Sequence, residues 1–183
     1  RYKEGLEVAL QLGHRGMQSM ILTNMSWSYN RLRPIEEAMQ TARQSYELAV
    51  EGGSDYLISG GHYVLGAAFL RQGRLDEARR HLTETAKLDH RMGLVDGNLV
   101  NLAWFARLRA AEGDVQGGLE WLGLAKSHPA LGTDGRLEVD SALEELSAGL
   151  PEEQVRDAID RGATLDFEAV IAGILAGQDK ATD

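Results

Sequence analysis

Apolar residues recur along this chain at spacings of three and four, and no stretch alternates convincingly with period two. Within 56–72, Leu57, Ile58, Leu65, Ala68 and Phe69 mark one face of a predicted helix, and comparable helices run near 17–32 and 95–112. Each stops at a Gly or, in the first case, at Arg33-Pro34, where the proline pushes the preceding residue out of the helical region. A second helix follows each, starting at Ile35-Glu36-Glu37, Leu75-Asp76-Glu77 and Val115-Gln116-Gly117. Acids in the first turn offset the helix dipole in the first two. The ends fall at Gly53 and Gly93, where Gly accepts a left-handed cap without strain. The short connections make consecutive helices antiparallel neighbours.

These helices repeat. A shift of 40 residues aligns Gly13, Gly53 and Gly93, and then Arg33, Gly73 and Gly113. It also aligns Ile35, Leu75 and Val115, and Ala38, Ala78 and Gly118. Upstream, Met25, Leu65 and Phe105 align, followed by Ser26, Gly66 and Ala106. One helix pair cannot bury both of its faces, whereas stacked pairs bury them continuously. The small residues at Ser26, Gly66 and Ala106 and at Ala38, Ala78 and Gly118 let backbones approach. Gly60-Gly61 and Gly117-Gly118 fall inside predicted helices, where each Gly is unfavourable by roughly 1 kcal/mol against Ala. Close packing is the expected compensation, a hinge the alternative.

The punctuation Val64-Leu65-Gly66-Ala67-Ala68-Phe69-Leu70-Arg71-Gln72-Gly73-Arg74-Leu75-Asp76-Glu77-Ala78 resembles the tetratricopeptide repeat family. In the first unit Met25, Ser26, Tyr29, Arg33 and Ala38 occupy the corresponding places, so the Gly positions are substituted. In the third they are Phe105, Ala106, Arg109, Gly113 and Gly118, and the aromatic is lost. The resemblance covers about residues 4–128, and the period is longer than the family's usual one. The longer variety is similar to the C-terminal arms of bacterial STAND-type regulators, multidomain ATPases that switch transcription or signalling. The segment from Val155 through Arg161-Gly162 and Leu165-Asp166-Phe167-Glu168-Ala169 is similar to the closing segment of many of them. The resemblance implies an all-α fold, a right-handed superhelix of antiparallel helix pairs closed by a C-terminal helical cap. Residues 1–15 are then the second helix of a preceding repeat, 16–132 the repeats, and 133–183 acidic capping helices near 135–149, 151–162 and 166–177. Pro151 with Glu152-Glu153 behind it is a good start signal. A separate docking element is the other reading of this tail.

Charge sharpens that division. The chain has 19 Lys and Arg against 28 Asp and Glu, a net charge of −9. The last 50 residues carry all of the excess, with Arg136, Arg156, Arg161 and Lys180 as their only bases. Such a tail repels nucleic acid and anionic membranes, and no run of residues is apolar for long enough to span a bilayer. With no Cys there is no disulfide, thiolate metal site or thiol chemistry, which fits a cytoplasmic setting. The chain opens without Met and reads as a piece of a longer protein.

Catalytic patterns are poor. His14, His62, His81, His90 and His128 show no spacing that builds a metal site, and each reads as a surface or boundary histidine. Glu36-Glu37, Glu144-Glu145 and Glu152-Glu153 read as solvated charge at helix starts, since adjacent helical residues do not face each other. No phosphate-binding Gly loop occurs. The chain is therefore expected to be no enzyme and to need neither cofactor nor metal.

Binding signals come through the resemblance, which implies a concave groove lined by the first helices of the pairs. Aligned on Leu65-Gly66, the lining residues are Thr23, Trp27, Asn30 and Arg31; then Tyr63, Ala67, Leu70 and Arg71; then Val100, Ala103, Arg107 and Ala110. Guanidiniums from Arg31, Arg71 and Arg107 beside Trp27 and Tyr63 suit a protein or peptide partner with acidic groups. The expected role is a non-catalytic sensor or scaffold arm of a larger regulator. A standalone peptide-binding adaptor is the alternative.

Overall fold

The computed structural model describes residues 2–32 and 34–177, with side chains omitted for Asn30, Arg31 and Leu32. Among the described residues there are ten α-helices and no strands. They are α1 (Tyr2–Gln11), α2 (Arg15–Leu32), α3 (Ile35–Gly52), α4 (Asp55–Arg71), α5 (Leu75–Met92), α6 (Val95–Ala111), α7 (Val115–Ser127), α8 (Thr133–Ser147), α9 (Glu152–Gly162) and α10 (Phe167–Leu175). The helices α2, α4 and α6 begin at 15, 55 and 95, and α3, α5 and α7 begin at 35, 75 and 115. The 40-residue period of the sequence is thus the period of the helix boundaries. Gly53 and Gly93 take positive φ at the ends of α3 and α5, as the capping argument requires.

The chain divides into two compact units, Arg1–Leu88 and Asp89–Asp183, the boundary falling inside α5. In the first, α2 packs on α1, α3 and α4, and α3 on α4. The α2–α3 crossing is hydroxyl-rich. Ser19 donates to the Ser45 carbonyl at 3.0 Å, Ser45 donates to the Ser19 carbonyl at 3.1 Å, and Ser26 donates to the Ala38 carbonyl at 3.2 Å. Forty residues on, Thr85 Oγ1 donates to the Ser59 carbonyl at 3.4 Å between α5 and α4. The glycines inside helices mark close packing. A Cβ at Gly61 would lie 2.9 Å from Tyr46 Cα, and one at Gly66 would lie 2.7 Å from Leu82 Cδ2.

The second unit is drier. Leu99, Leu102, Phe105, Leu108, Leu119 and Leu122 are fully buried between α6 and α7. A Cβ at Gly118 would sit 2.7 Å from the Ala106 carbonyl, so the close crossing made by Gly66 on α4 returns with the Gly on the second helix of the pair. At the head of α7, Asp114 caps the Gly117 amide at 2.9 Å and accepts from Arg109 Nε at 2.8 Å. Burial pushes the Asp114 carboxyl up, but the bonds from Arg109 and the Gly117 amide outweigh it and hold the group below its ordinary value. The Arg109 guanidinium lies 4.5 Å from the centre of the Trp121 ring.

The acidic tail packs as helices rather than trailing free. The helix α8 packs on α6 and α7, and α9 packs on α7. Where α9 crosses α7, a Cβ at Gly162 would overlap the Glu120 carbonyl, while Arg161 Nε donates to the Glu120 carboxylate at 2.8 Å. The pair Arg161-Gly162 is thus one contact, half charge and half missing side chain. Ile171 and Ile174 bury α10. Among the described residues no helix is long and apolar enough to cross a membrane.

Candidate functional site

The residues expected to line a groove divide by environment. Thr23 turns its hydroxyl into the α2–α3 crossing, donating to the Ser19 carbonyl at 3.0 Å and meeting the Ser45 hydroxyl. Trp27 on α2 and Tyr63 on α4 are half-buried. The side chains of Asn30 and Arg31 lie outside the described set. Ala67 and Ala103 are buried, so they pack rather than line a surface. Arg71 is exposed at the end of α4 and reaches the Tyr29 carbonyl of α2 at 3.4 Å.

Arg107 corrects the expectation most clearly. Its side chain is only 10% exposed, donating at 2.8 Å to Glu138, itself 2% exposed, and at 2.7 Å to Glu145. Its guanidinium also lies 4.6 Å from the centre of the Trp104 ring. The anions that neutralise this arginine are the chain's own, on helix α8. Glu145 accordingly stands in the last turn of α8, not at a helix start.

The titratable group that the sequence left as ordinary lies in the first unit. His62 of α4 and His81 of α5 are half-buried, with Nδ1 atoms 2.8 Å apart. The 40-residue template explains why this is unusual. The positions equivalent to His62 are Leu22 and Leu102, and those equivalent to His81 are Thr41 and Trp121, all four buried. Two imidazoles therefore fill a column whose other members are mostly apolar. Reading the aligned columns for a polar residue among apolar ones would have found them.

Rings enclose the pair. Tyr46 of α3 meets His62 edge-on, with centroids 4.7 Å apart, and Phe69 stacks on His81 at 5.2 Å. An open pocket of about 300 Å³ is lined by both histidines and Phe69, with Arg74, Glu77 and Glu84 around it. Burial lowers the pKa of His62 against the opposing pull of Glu84. For His81, burial, then the His62 charge, then Arg80 lower the value to about 4, with Glu84 and Glu77 opposing.

Geometry decides what the two nitrogens share. Each ring nitrogen lies about 1.15 Å from its own ring centre, so a head-on hydrogen bond of this length puts the centres roughly 5.1 Å apart. The observed separation is 5.0 Å. A metal at about 2.05 Å from both nitrogens would, at the same N···N distance, draw the centres to roughly 4.4 Å. The lone pairs point at each other rather than at a third point. Consistent with this, among the described residues no group of three or more His, Asp or Glu side chains is placed to hold a metal ion. One Nδ1–H donates and the other Nδ1 accepts.

A second cavity, of about 550 Å³, opens between α1, α2 and α3 of the same unit. Leu6, Leu10 and Leu22 form its apolar wall, and an Arg15–Glu51 ion pair lies at its edge.

No family model, curated protein or solved structure matches the chain.

Proposed function

We propose that the chain is a non-catalytic, tetratricopeptide-like binding arm, a sensor or scaffold segment of a larger bacterial STAND-type signalling or transcription regulator that works in the cytoplasm. The observation that carries this reading is the recurrence of helix starts at 15, 55 and 95 and at 35, 75 and 115. A template repeated at that fidelity serves to present successive helices to a partner. Its partner is a protein or peptide, and the exposed guanidinium of Arg71 favours an acidic one. Arg107 takes no part in that contact, since Glu138 and Glu145 already neutralise it.

The test titrates an acidic peptide into the full chain and into Arg71→Ala at low and high salt, alongside assays of nucleotide turnover. Saturable binding that weakens in Arg71→Ala, without turnover, is the expected result. Nucleotide hydrolysis by the purified chain overturns the non-catalytic reading. Equal affinity and equal salt dependence in Arg71→Ala remove the arginine from the binding surface.

A further inference from the structure

We infer that His62 and His81 form an acid-sensitive latch between α4 and α5, closed while the two imidazoles share a hydrogen bond and opened when both are protonated. The column they occupy sets the pair apart. At the same two positions the first helix pair sets Leu22 with Thr41 and the third sets Leu102 with Trp121, and none of those side chains titrates near neutrality. Only the second pair joins its helices there through groups whose charge changes between pH 4 and 7.

Proton counting gives the latch two steps. In the neutral pair one Nδ1–H donates to the facing Nδ1, across 2.8 Å. A first added proton goes to the remote Nε2 of the donor ring, leaving an imidazolium that still donates to a neutral partner, so the contact survives. A second added proton can go only to the accepting Nδ1. The two rings then present N–H to N–H, both positive, and the contact is lost.

The surroundings set how readily this happens. On α5, Arg80 opposes protonation while Glu77 and Glu84 favour it. Glu77 is held by Arg74, its Oε1 accepting from Arg74 Nε at 3.0 Å, and Glu84 accepts from Lys87 at 2.7 Å. From α3 the facing group is the Tyr46 ring, edge-on to both imidazoles. Both carboxylates already bond cations of their own, which offsets their pull on the imidazoles. Phe69 stacked on His81 removes water from one face. Both histidines have pKa values lowered by folding, so the folded state binds fewer protons than the unfolded chain below the ordinary histidine value. Stability is therefore full above about pH 6.5 and falls as pH drops towards about 4.

The experiment compares the full chain with His62→Leu/His81→Thr, which installs the pairing of the first helix pair at the same register. Urea denaturation midpoints between about pH 7.5 and 4.5 should fall steeply for the wild type, with the pH slope at least halved in the double variant. In parallel, nitrogen-15 spectra of the wild-type histidines should show one Nδ1–H and one Nε2–H tautomer, and amide exchange should quicken first in α4 and α5 on acidification. An equal pH slope in the two proteins overturns the latch. If the double variant does not fold, the wild-type spectra decide: two histidines titrating together near the ordinary value, without distinct tautomers, overturn it equally.

Discussion

The second helix pair, α4 with α5, and the third, α6 with α7, are cut to one template and filled with different chemistry. At the helix crossing, Gly66 lets Leu82 approach in one, and Gly118 lets the Ala106 carbonyl approach in the other. Beyond the crossing they part. The second pair sets Ser59 with Thr85 and His62 with His81, where the third sets Leu99 with Ala125 and Leu102 with Trp121. A repeat of this kind fixes how near two backbones come, and leaves each column free to be apolar, hydrogen-bonded or titratable. The second pair carries a hydrogen-bonded, titratable column, while the third fills the same column with apolar side chains and adds the Arg109 contacts with Asp114 and Trp121.

The largest test of that contrast is truncation at the shared column. Trp121 is 7% exposed, lies under Arg109 and meets Phe105 edge-on. Trp121→Ala should destabilise the chain by about 3–5 kcal/mol. His81→Ala at neutral pH should remove one net hydrogen bond and some ring contact, roughly 1 kcal/mol. Urea midpoints with unchanged slopes would measure both, and equal losses would mean that the two columns do the same mechanical work.

Next in size is the buried ion pair between α6 and α8. Glu138→Ala leaves the Arg107 guanidinium with Glu145 and the Trp104 ring but without its fully buried partner. A loss of about 3 kcal/mol is expected, read by thermal melting, because an uncompensated buried charge is costly. A neutral result would show that water replaces Glu138 in the second unit as readily as it reaches the histidines in the first.

Gly66→Leu then tests the template itself. A Cβ there already meets Leu82 side-chain atoms at 2.7 and 2.8 Å and its backbone nitrogen at 3.4 Å. Wedging the pair apart should lower stability by about 1–3 kcal/mol. An unchanged midpoint would mean that α4 and α5 tolerate a wider spacing, and the shared template would lose its second member.

How far the sequence carried differs between backbone and site, and the reasons are physical. Helix boundaries were legible because they depend on local residues: Gly53 and Gly93 at left-handed caps, Pro34 and Pro151 just before helix starts, and apolar spacing between. The tail helices were legible through Pro151 and through Arg161-Gly162, whose contact with Glu120 accounts for both residues at once. The histidine pair was not, because His62 and His81 are 19 residues apart and no local rule links them. Only the comparison with Leu22, Thr41, Leu102 and Trp121 singles them out. Arg107 was misplaced for a related reason. Balanced charge over the repeats left it looking unneutralised, while its partners Glu138 and Glu145 lie 31 and 38 residues downstream in the excess-acid tail.

The smallest expected effect separates the two halves of that ionic cluster. Glu145 and Glu138 bond the same guanidinium, yet the Glu145 side chain is 61% exposed and the Glu138 side chain 2%. Exposure decides the contribution, because water and salt screen an exposed pair and holding it in one geometry costs side-chain entropy. Glu145→Gln keeps the shape, removes the charge and should change stability by less than about 1 kcal/mol. The change should shrink further in high salt, whereas the loss from Glu138→Ala should persist there, since little solvent reaches that pair. Melting both variants at low and high salt checks this. A Glu145→Gln loss as large as that of Glu138→Ala and independent of salt would place the two carboxylates in one dry site, and Arg107 would then be anchored by α8 through both of them equally.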